Sequence, residues 1–153
     1  MRLQHVAGVL AMAGVLALAA CAGDVTPTTP AAPARSTASL LNTYWKLMQL
    51  GDQVVTTPEG AREIHFVLHS ENQRVAGFSG CNQMMGSYVL DGAKLRFEQM
   101  AGTMMACVPD MELERSFLAM FPQVAGWEIS GETLRLLDAN GKTLGTFESR
   151  YMK

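Results

Sequence analysis

The sequence predicts a mainly β protein: an antiparallel sheet of about eight short strands that curls on itself, with one amphipathic helix over about residues 110–121. Three observations support this. After Leu40, apolar and polar residues alternate at period two, glycine-containing dipeptides separate these segments, and one segment has helical periodicity instead. Because closure removes exposed strand edges, we expect the sheet to close and the helix to cover one opening.

The chain begins with the features of an export signal over residues 1–20. Arg2 and the terminal amine are positive, and an apolar stretch over 6–18 is shorter than the roughly 20 residues that span a bilayer. Leu18, Ala19 and Ala20 then precede Cys21, an order that resembles the lipobox of bacterial lipoproteins. The resemblance implies cleavage before Cys21 and attachment of diacylglycerol to its thiol.

The lipid expected on Cys21 and the residue after it indicate the membrane to which the protein is anchored. Each buried methylene contributes about 0.8 kcal/mol, so two or three acyl chains form a stable anchor. Ala22, rather than Asp, follows Cys21, which in Gram-negative lipoproteins resembles cargo sorted to the outer membrane. We expect a lipid anchor on the periplasmic face of the outer membrane. The alternatives are an ordinary secreted protein with a chance cysteine and, less favoured, a spanning anchor.

A flexible tether is predicted between the lipid and the folded part, over residues 21–39. Its residues are mostly Ala, Thr, Pro and Ser without apolar periodicity, so it cannot bury enough surface to offset its ordering entropy. At about 3.1 Å per residue, the 18 residues from Ala22 to Ser39 reach roughly 55 Å at most. The folded domain is therefore expected over 40–153.

The strands predicted in this domain are short and separated by turns. Asp91-Gly92, Ser130-Gly131 and Asn140-Gly141 supply the positive φ angles of tight hairpins, which predicts successive antiparallel pairs. Ile64, Phe66 and Leu68 share one face of their strand. The predicted strands cover 44–50, 63–69, 74–78, 86–90, 94–98, 102–107, 126–130, 133–137 and 142–149.

One segment is predicted to be a helix. Asp110 is placed to cap it, Glu112 and Glu114 are favourable at the positive end of its dipole, and Pro122 ends it. A helix of about three turns is unstable alone, so its apolar stripe is expected to pack on the sheet. The stripe consists of Leu113, Phe117, Met120 and Phe121.

Several stretches of the chain resemble one known family, the META domain, which includes HslJ-like heat-shock-inducible envelope proteins. The resemblance covers 40–147 and implies a lipocalin-like antiparallel β-barrel with one helix, commonly in envelope lipoproteins. The family has been associated with stress and novobiocin resistance, without an agreed biochemical activity. The matching stretches are 45–47, 75–82, 86–88, 95–97, 100–107, 112–117 and 134–138, with Gly80-Cys81-Asn82 and Thr103-Met104-Met105-Ala106-Cys107 the most specific.

A glycine-rich stretch surrounds Cys81 and Asn82. Gly77, Gly80 and Gly86 are what a bulged or sharply turned strand requires, because glycine adopts such backbone conformations at little cost. We favour a structural turn. A binding loop needs the same glycines, and the candidate binding residues are Ser79, Gly80, Cys81 and Asn82.

With Cys21 assigned to the lipid, Cys81 and Cys107 are the two remaining thiols. The bacterial envelope is oxidising, so we predict a disulfide between them. Two reduced buried cysteines or a redox pair are the alternatives. The redox pair is disfavoured because the Cys-x-x-Cys spacing is absent.

We predict no metal and no cofactor. Eleven methionines raise the alternative of Cu(I), but neighbours such as Met84 and Met85 point to opposite faces of a strand. His65 and His69 are about 13 Å apart on a strand, too far to share a metal, and come close only if the segment is helical.

We also predict that the protein is not an enzyme. Ser79 lies in Gly-Phe-Ser-Gly, which lacks the Gly-x-Ser-x-Gly spacing of a nucleophile elbow, and the carboxylates are scattered. The net charge of -2 does not favour a nucleic-acid partner.

The leading hypothesis is a non-enzymatic envelope module that binds a protein or a small apolar ligand and supports stress tolerance. A cupped sheet capped by a helix is able to enclose such a ligand. A pilotin-like assembly factor for an outer-membrane partner is the first alternative. An enzyme or an enzyme inhibitor is the second.

Overall fold

A computed structural model describes residues 37–105, 107 and 111–151. The leader, Cys21, Ala22 and most of the tether lie outside these residues. The elements are β1 (Tyr44–Leu50), β2 (Gln53–Val54), β3 (His65–His69), β4 (Arg74–Phe78), β5 (Gln83–Asp91), β6 (Lys94–Gly102), α1 (Met111–Met120), a 3₁₀ turn (Phe121–Gln123), β7 (Gly126–Ser130), β8 (Thr133–Leu137) and β9 (Thr143–Arg150).

The strands form one antiparallel sheet that closes into a ring. From β3 to β9 each strand pairs with the next, and β1 pairs with β3 on one side and β9 on the other. The ring thus contains β1 and β3 to β9, while the short β2 pairs only with the end of β1. The predicted mainly β fold with a closed antiparallel sheet is confirmed. Its narrowest joint is between β6 and β7, which pair only at Lys94 and Gly126.

Aromatic side chains fill the centre of the ring. Phe66 lies edge-on to Phe97, Phe121 and Phe147, with ring centroids 6.0, 6.1 and 4.9 Å away. Trp45 is fully buried, and its indole N–H donates to the carbonyl of Leu40 at 3.0 Å. Edge-to-face aromatic pairs stabilise a core by more than the burial of their apolar area alone provides. Ile64 and Leu68 are buried in the same cluster as Phe66, as predicted for one face of their strand.

The predicted hairpin turns are present. Gly92, Gly131 and Gly141 have φ angles of 57°, 61° and 80°, in the left-handed region that glycine adopts without strain. Each lies between two strands that pair directly, β5–β6, β7–β8 and β8–β9. Local turn chemistry therefore sets these three antiparallel connections.

The separate strand predicted over 102–107 is not formed at residues 103–105 and 107, which the structure describes. β6 instead continues to Gly102, through a bulge at which Gln99 has a φ of 52° and one extra residue opposes β5. Beyond it, the N–H of Thr103 still donates to the Gln83 carbonyl of β5 at 3.0 Å, but the Thr103 hydroxyl and the N–H of Met105 donate to the side chain of Asn82. After Thr103, hydrogen bonds between Met105 and the distant Asn82 amide therefore take the place of strand pairing.

The helix forms as predicted and buries Phe117 and Met120. Pro122 does not end the helical chain at once, because Phe121–Gln123 continues it as a 3₁₀ turn. Proline is tolerated there since the first turn of a helix leaves its N–H groups unbonded. The predicted cap, Asp110, lies outside the described residues. None of the helices in the part that the structure describes is long and apolar enough to cross a membrane.

The folded chain includes residues before Leu40. Ala38 is buried, and its N–H donates to the carbonyl of Gly131 at 2.9 Å. Ser39 accepts a hydrogen bond at its carbonyl from the hydroxyl of Thr43. The chain therefore enters the fold beside the β7–β8 turn.

Candidate functional site

The residues between β4 and β5 make a tight turn. The N–H of Ser79 donates to the carbonyl of Asn82 at 2.9 Å. Gly80 has a φ of 118°, and a β-carbon there would lie 3.3 Å from the side chain of Ile64. Glycine is therefore required at the centre of the turn.

Glu114 of α1 holds this turn from inside. Only 3% of Glu114 is exposed. Its Oε1 accepts from the hydroxyl of Ser79 and, at 2.9 Å, from the N–H of Asn82, while Oε2 accepts from the Asn82 amide at 3.1 Å. Burial alone raises the pKa of Glu114, but the hydrogen bonds from Ser79, Asn82 and Cys81 outweigh it and leave the pKa below its usual value. A buried, ionised carboxylate thus ties the helix to the sheet.

Asn82 extends the same network to the chain after β6. Its Oδ1 accepts from the Thr103 hydroxyl at 2.8 Å and from the Met105 N–H at 2.7 Å, and its Nδ2 donates to the Met105 carbonyl at 3.1 Å. We refer to Ser79, Asn82, Thr103, Met105 and Glu114 as the Glu114 latch. The latch joins three segments that are separate in sequence.

A disulfide between Cys81 and Cys107 joins two of these segments covalently. This is the pairing predicted from the sequence. The two Cα atoms are 5.8 Å apart, within the range usual for disulfides. The covalent bond and the Asn82 hydrogen bonds therefore restrain the same stretch of chain.

A surface hollow lies on the outside of the ring, beside the single residue pair that joins β6 to β7. Its volume is about 730 Å³. Four of its residues are small, namely Ala125, Gly126, Ala139 and Gly141, and their size leaves this space open. We call it the outer cleft. It is lined by Val89, Asp91, Lys94, Arg96, Ala125, Gly126, Leu137, Asp138, Ala139 and Gly141.

The outer cleft carries charges of both signs. Lys94 and Arg96 lie two residues apart on β6 and are exposed. Asp138 accepts hydrogen bonds at Oδ1 from the backbone N–H groups of Lys142, at 2.9 Å, and Asn140, at 2.8 Å. These bonds hold the pKa of Asp138 below its usual value, so its charge persists.

In the comparison with protein families, one family model matches nearly the whole folded part of the chain. The sequence model of the META domain matches residues 38–151. The chain belongs to the META domain family. No curated protein matches it.

Two solved structures resemble this META domain. An NMR structure of a protein from Burkholderia xenovorans is 28% identical, with a TM-score of 0.59, and the match covers 83% of this chain and 100% of that one. A second NMR structure is 21% identical, with a TM-score of 0.57, covering 72% of this chain and 94% of that one. The second likeness shows a shared fold alone.

The candidate binding loop of this META domain faces largely inward. Ser79, Cys81 and Asn82 are buried, and the polar atoms of Ser79 and Asn82 bond to Glu114 and the 103–105 segment. This geometry favours the structural turn over the binding loop. Gly80 alone of the four lines a hollow, a small one of about 160 Å³.

The candidate metal ligands do not converge. His65 and His69 lie on β3, as predicted, so their spacing keeps them apart. His65 is buried, stacks on Tyr44 with ring centroids 4.0 Å apart, and its Nδ1 bonds to the Glu63 carbonyl at 2.9 Å. Met84 is buried whereas Met85 is exposed, so this neighbouring pair is divided between the two faces of β5. In the described ranges no group of three or more His, Cys, Asp or Glu residues is placed to hold a metal.

Sequence reasoning missed Glu114 and the outer cleft. The sequence pattern predicts only a favourable dipole interaction for Glu114, yet this residue lies three residues before Phe117, on the apolar face of the helix. A carboxylate at a core-facing position was the signal available. The cleft carried no such signal, because its residues meet only when β6 pairs with β7.

Proposed function

We propose that this META-domain protein is a non-enzymatic binding module, held by a lipid on Cys21 at the periplasmic face of the outer membrane, that supports the envelope under stress. Its partner binds in the outer cleft. The observation that carries this proposal is the contrast between a filled ring interior and the cleft of about 730 Å³ outside it.

The ring interior is occupied by core side chains, which argues against the enclosed apolar ligand that the sequence suggested. Phe66, Phe117 and Phe147 are fully buried and belong to one continuous cluster of core side chains. A ligand there would have to displace buried core side chains, at a cost of several kcal/mol. The Glu114 latch also fixes α1 against the β4–β5 turn. Binding therefore falls to the outer surface.

The outer cleft has the size and make-up of a binding site. Ligand pockets measure about 300 to 1,000 Å³ and combine apolar surface with a few polar groups. Val89 and Leu137 supply apolar surface here, and Lys94, Arg96 and Asp138 supply charge. Such a mixture binds amphipathic groups.

The anchor rests on the leader and on the residues before Cys21. It is tested directly by fatty-acid labelling: the natural chain should incorporate the label, and Cys21→Ser should not. A labelled Cys21→Ser variant would contradict the lipid anchor.

The binding role is tested by complementation of a strain that lacks the gene, grown under heat or detergent stress. The natural protein should restore growth. Ala139→Trp fills the cleft from an exposed turn position and should fail to restore it. Glu71→Trp, at an exposed position in the β3–β4 turn, is the matched control and should restore growth.

Immunoblotting establishes that all variants reach equal levels. Growth restored equally by Ala139→Trp and the natural protein would contradict a role for the cleft. Full restoration of growth by Cys21→Ser would contradict the need for the anchor. The conclusion about the cleft does not depend on that result.

A further inference from the structure

We propose that the outer cleft binds a small amphipathic carboxylate, a ligand with one singly charged head and an apolar body. This inference rests on the proposed function, because it takes the outer cleft as the binding surface, and it adds the chemistry of the ligand. The argument comes from the charges in the cleft and from the side chains beside them.

The head group is bound by Lys94 and Arg96. They are two residues apart on one strand, so both side chains leave the same face about 7 Å apart. The salt bridges of the described residues involve other cations, namely Lys46, Arg135 and Arg150. Two cations on one face without an ion-pair partner attract an anion, and the planar fork of arginine binds a carboxylate through two parallel hydrogen bonds.

The two aspartates of the cleft limit the charge of the ligand. Asp91 lies directly across from Lys94 in the β5–β6 register, and Asp138 stays ionised within its turn. The four charged side chains of the cleft therefore balance. For a dianionic phosphate the attraction to the two cations and the repulsion from the two aspartates both double, whereas the cost of removing the head group from water rises with the square of its charge. This difference favours a carboxylate.

Apolar surface lies beside the cations. Val89 is opposite Arg96 in the register, and 39% of Val89 is exposed although it is a large apolar residue. Leu137 and Ala125 continue this surface on the other side of the β6–β7 joint. A ligand whose carboxylate contacts Arg96 can therefore place an aliphatic chain across Val89 toward Leu137, which removes apolar surface from water.

The test uses a chain of residues 34–153, which contains the whole compact unit Ala34–Lys153. The Burkholderia xenovorans protein, which is matched over its full chain, was itself solved by NMR. Dispersed amide signals should first establish that the 34–153 chain is folded. The probes are octanoate, 1-octanol and octyl phosphate. Binding is followed by calorimetry and by amide chemical shifts.

Octanoate should bind, with shifts concentrated at Val89, Lys94, Gly126 and Ala139. Octanol and octyl phosphate should bind more weakly. Arg96→Gln should weaken octanoate binding about ten-fold or more, because a hydrogen bond between charged groups is lost. Arg115→Gln, at an exposed position on α1, is the control and should bind octanoate as the natural protein does.

Equal affinity for octanoate and octanol, shifts outside the cleft, unchanged binding by Arg96→Gln, or no octanoate binding would each overturn the proposal. These outcomes are separate from those of complementation. If Ala139→Trp fails in cells while octanoate does not bind, the cleft keeps its role and the carboxylate is wrong. If octanoate binds and Ala139→Trp restores growth, the ligand chemistry stands and the proposed function falls.

Discussion

Glu114 bonds to Asn82 twice, through the backbone N–H at 2.9 Å and through the side-chain amide at 3.1 Å. The carboxylate thus fixes the backbone and the side chain of the turn where β4 leads into β5. Because it is buried and ionised, each of its donors is needed to offset the cost of its desolvation. The latch should therefore contribute strongly to stability.

Glu114→Gln should lower the free energy of unfolding by about 2 to 3 kcal/mol, because the amide nitrogen that replaces one oxygen cannot accept a bond from a buried donor. Chemical denaturation measures this loss. Glu112→Gln removes a charge from the same helical turn at an exposed position and is the matched control, with an expected loss of at most about 1 kcal/mol. Equal losses for the two variants would show that the latch adds nothing beyond the helix dipole.

Removal of the Cys81–Cys107 disulfide should destabilise the domain without unfolding it. The bond closes a loop with a sequence separation of 26, for which chain entropy predicts a loss of about 3.5 kcal/mol. Asn82 still restrains the 103–105 segment, so a Cys81→Ser and Cys107→Ser double variant should remain folded. Reductant should lower the denaturation midpoint of the natural protein and leave the double variant unchanged. Two free thiols in the untreated exported protein, detected by alkylation and intact mass, would contradict the disulfide.

The free energy of unfolding should decrease in two pH windows as the pH is lowered. Burial, helped by Arg62, holds the pKa of His65 below its usual 6.5, so the unfolded chain binds the proton more readily. The stability from neutral His65 is thus complete above pH 6.5 and declines as pH falls below it. Glu114, whose folded pKa lies below its usual 4.5, adds a second decline below pH 4.5. Denaturation across pH measures both. His65→Gln should flatten the upper window, and Glu114→Gln should reduce the lower one, to which Asp138 also contributes. An unchanged upper window in His65→Gln would show that another group titrates there.

The parts of the fold that depend on neighbouring residues could be predicted from the sequence. Period-two alternation located the segment around Phe66, and the dipeptides ending in Gly92, Gly131 and Gly141 located hairpin turns, because both signals act within a few residues. The separate strand predicted over 102–107 was wrong because the side chain of Asn82, some twenty residues earlier, forms hydrogen bonds with Thr103 and Met105.

The candidate site was less predictable for the same physical reason. The sequence pointed to the Gly80-Cys81-Asn82 stretch, but only its contact with Glu114 shows that the side chains face inward. The outer cleft depends on the pairing of Lys94 with Gly126, which joins distant segments. No pattern among neighbouring residues predicts this pairing of β6 with β7.

The most direct test of the outer cleft as the binding surface is photocrosslinking in intact cells from a photoreactive amino acid placed at Ala139, with Glu71 as the control position. Crosslinked species should form from position 139, be absent from position 71, and decrease when Arg96→Gln is added. The same species from both positions, or none from position 139, would contradict the claim that this META domain binds its partner through the outer cleft.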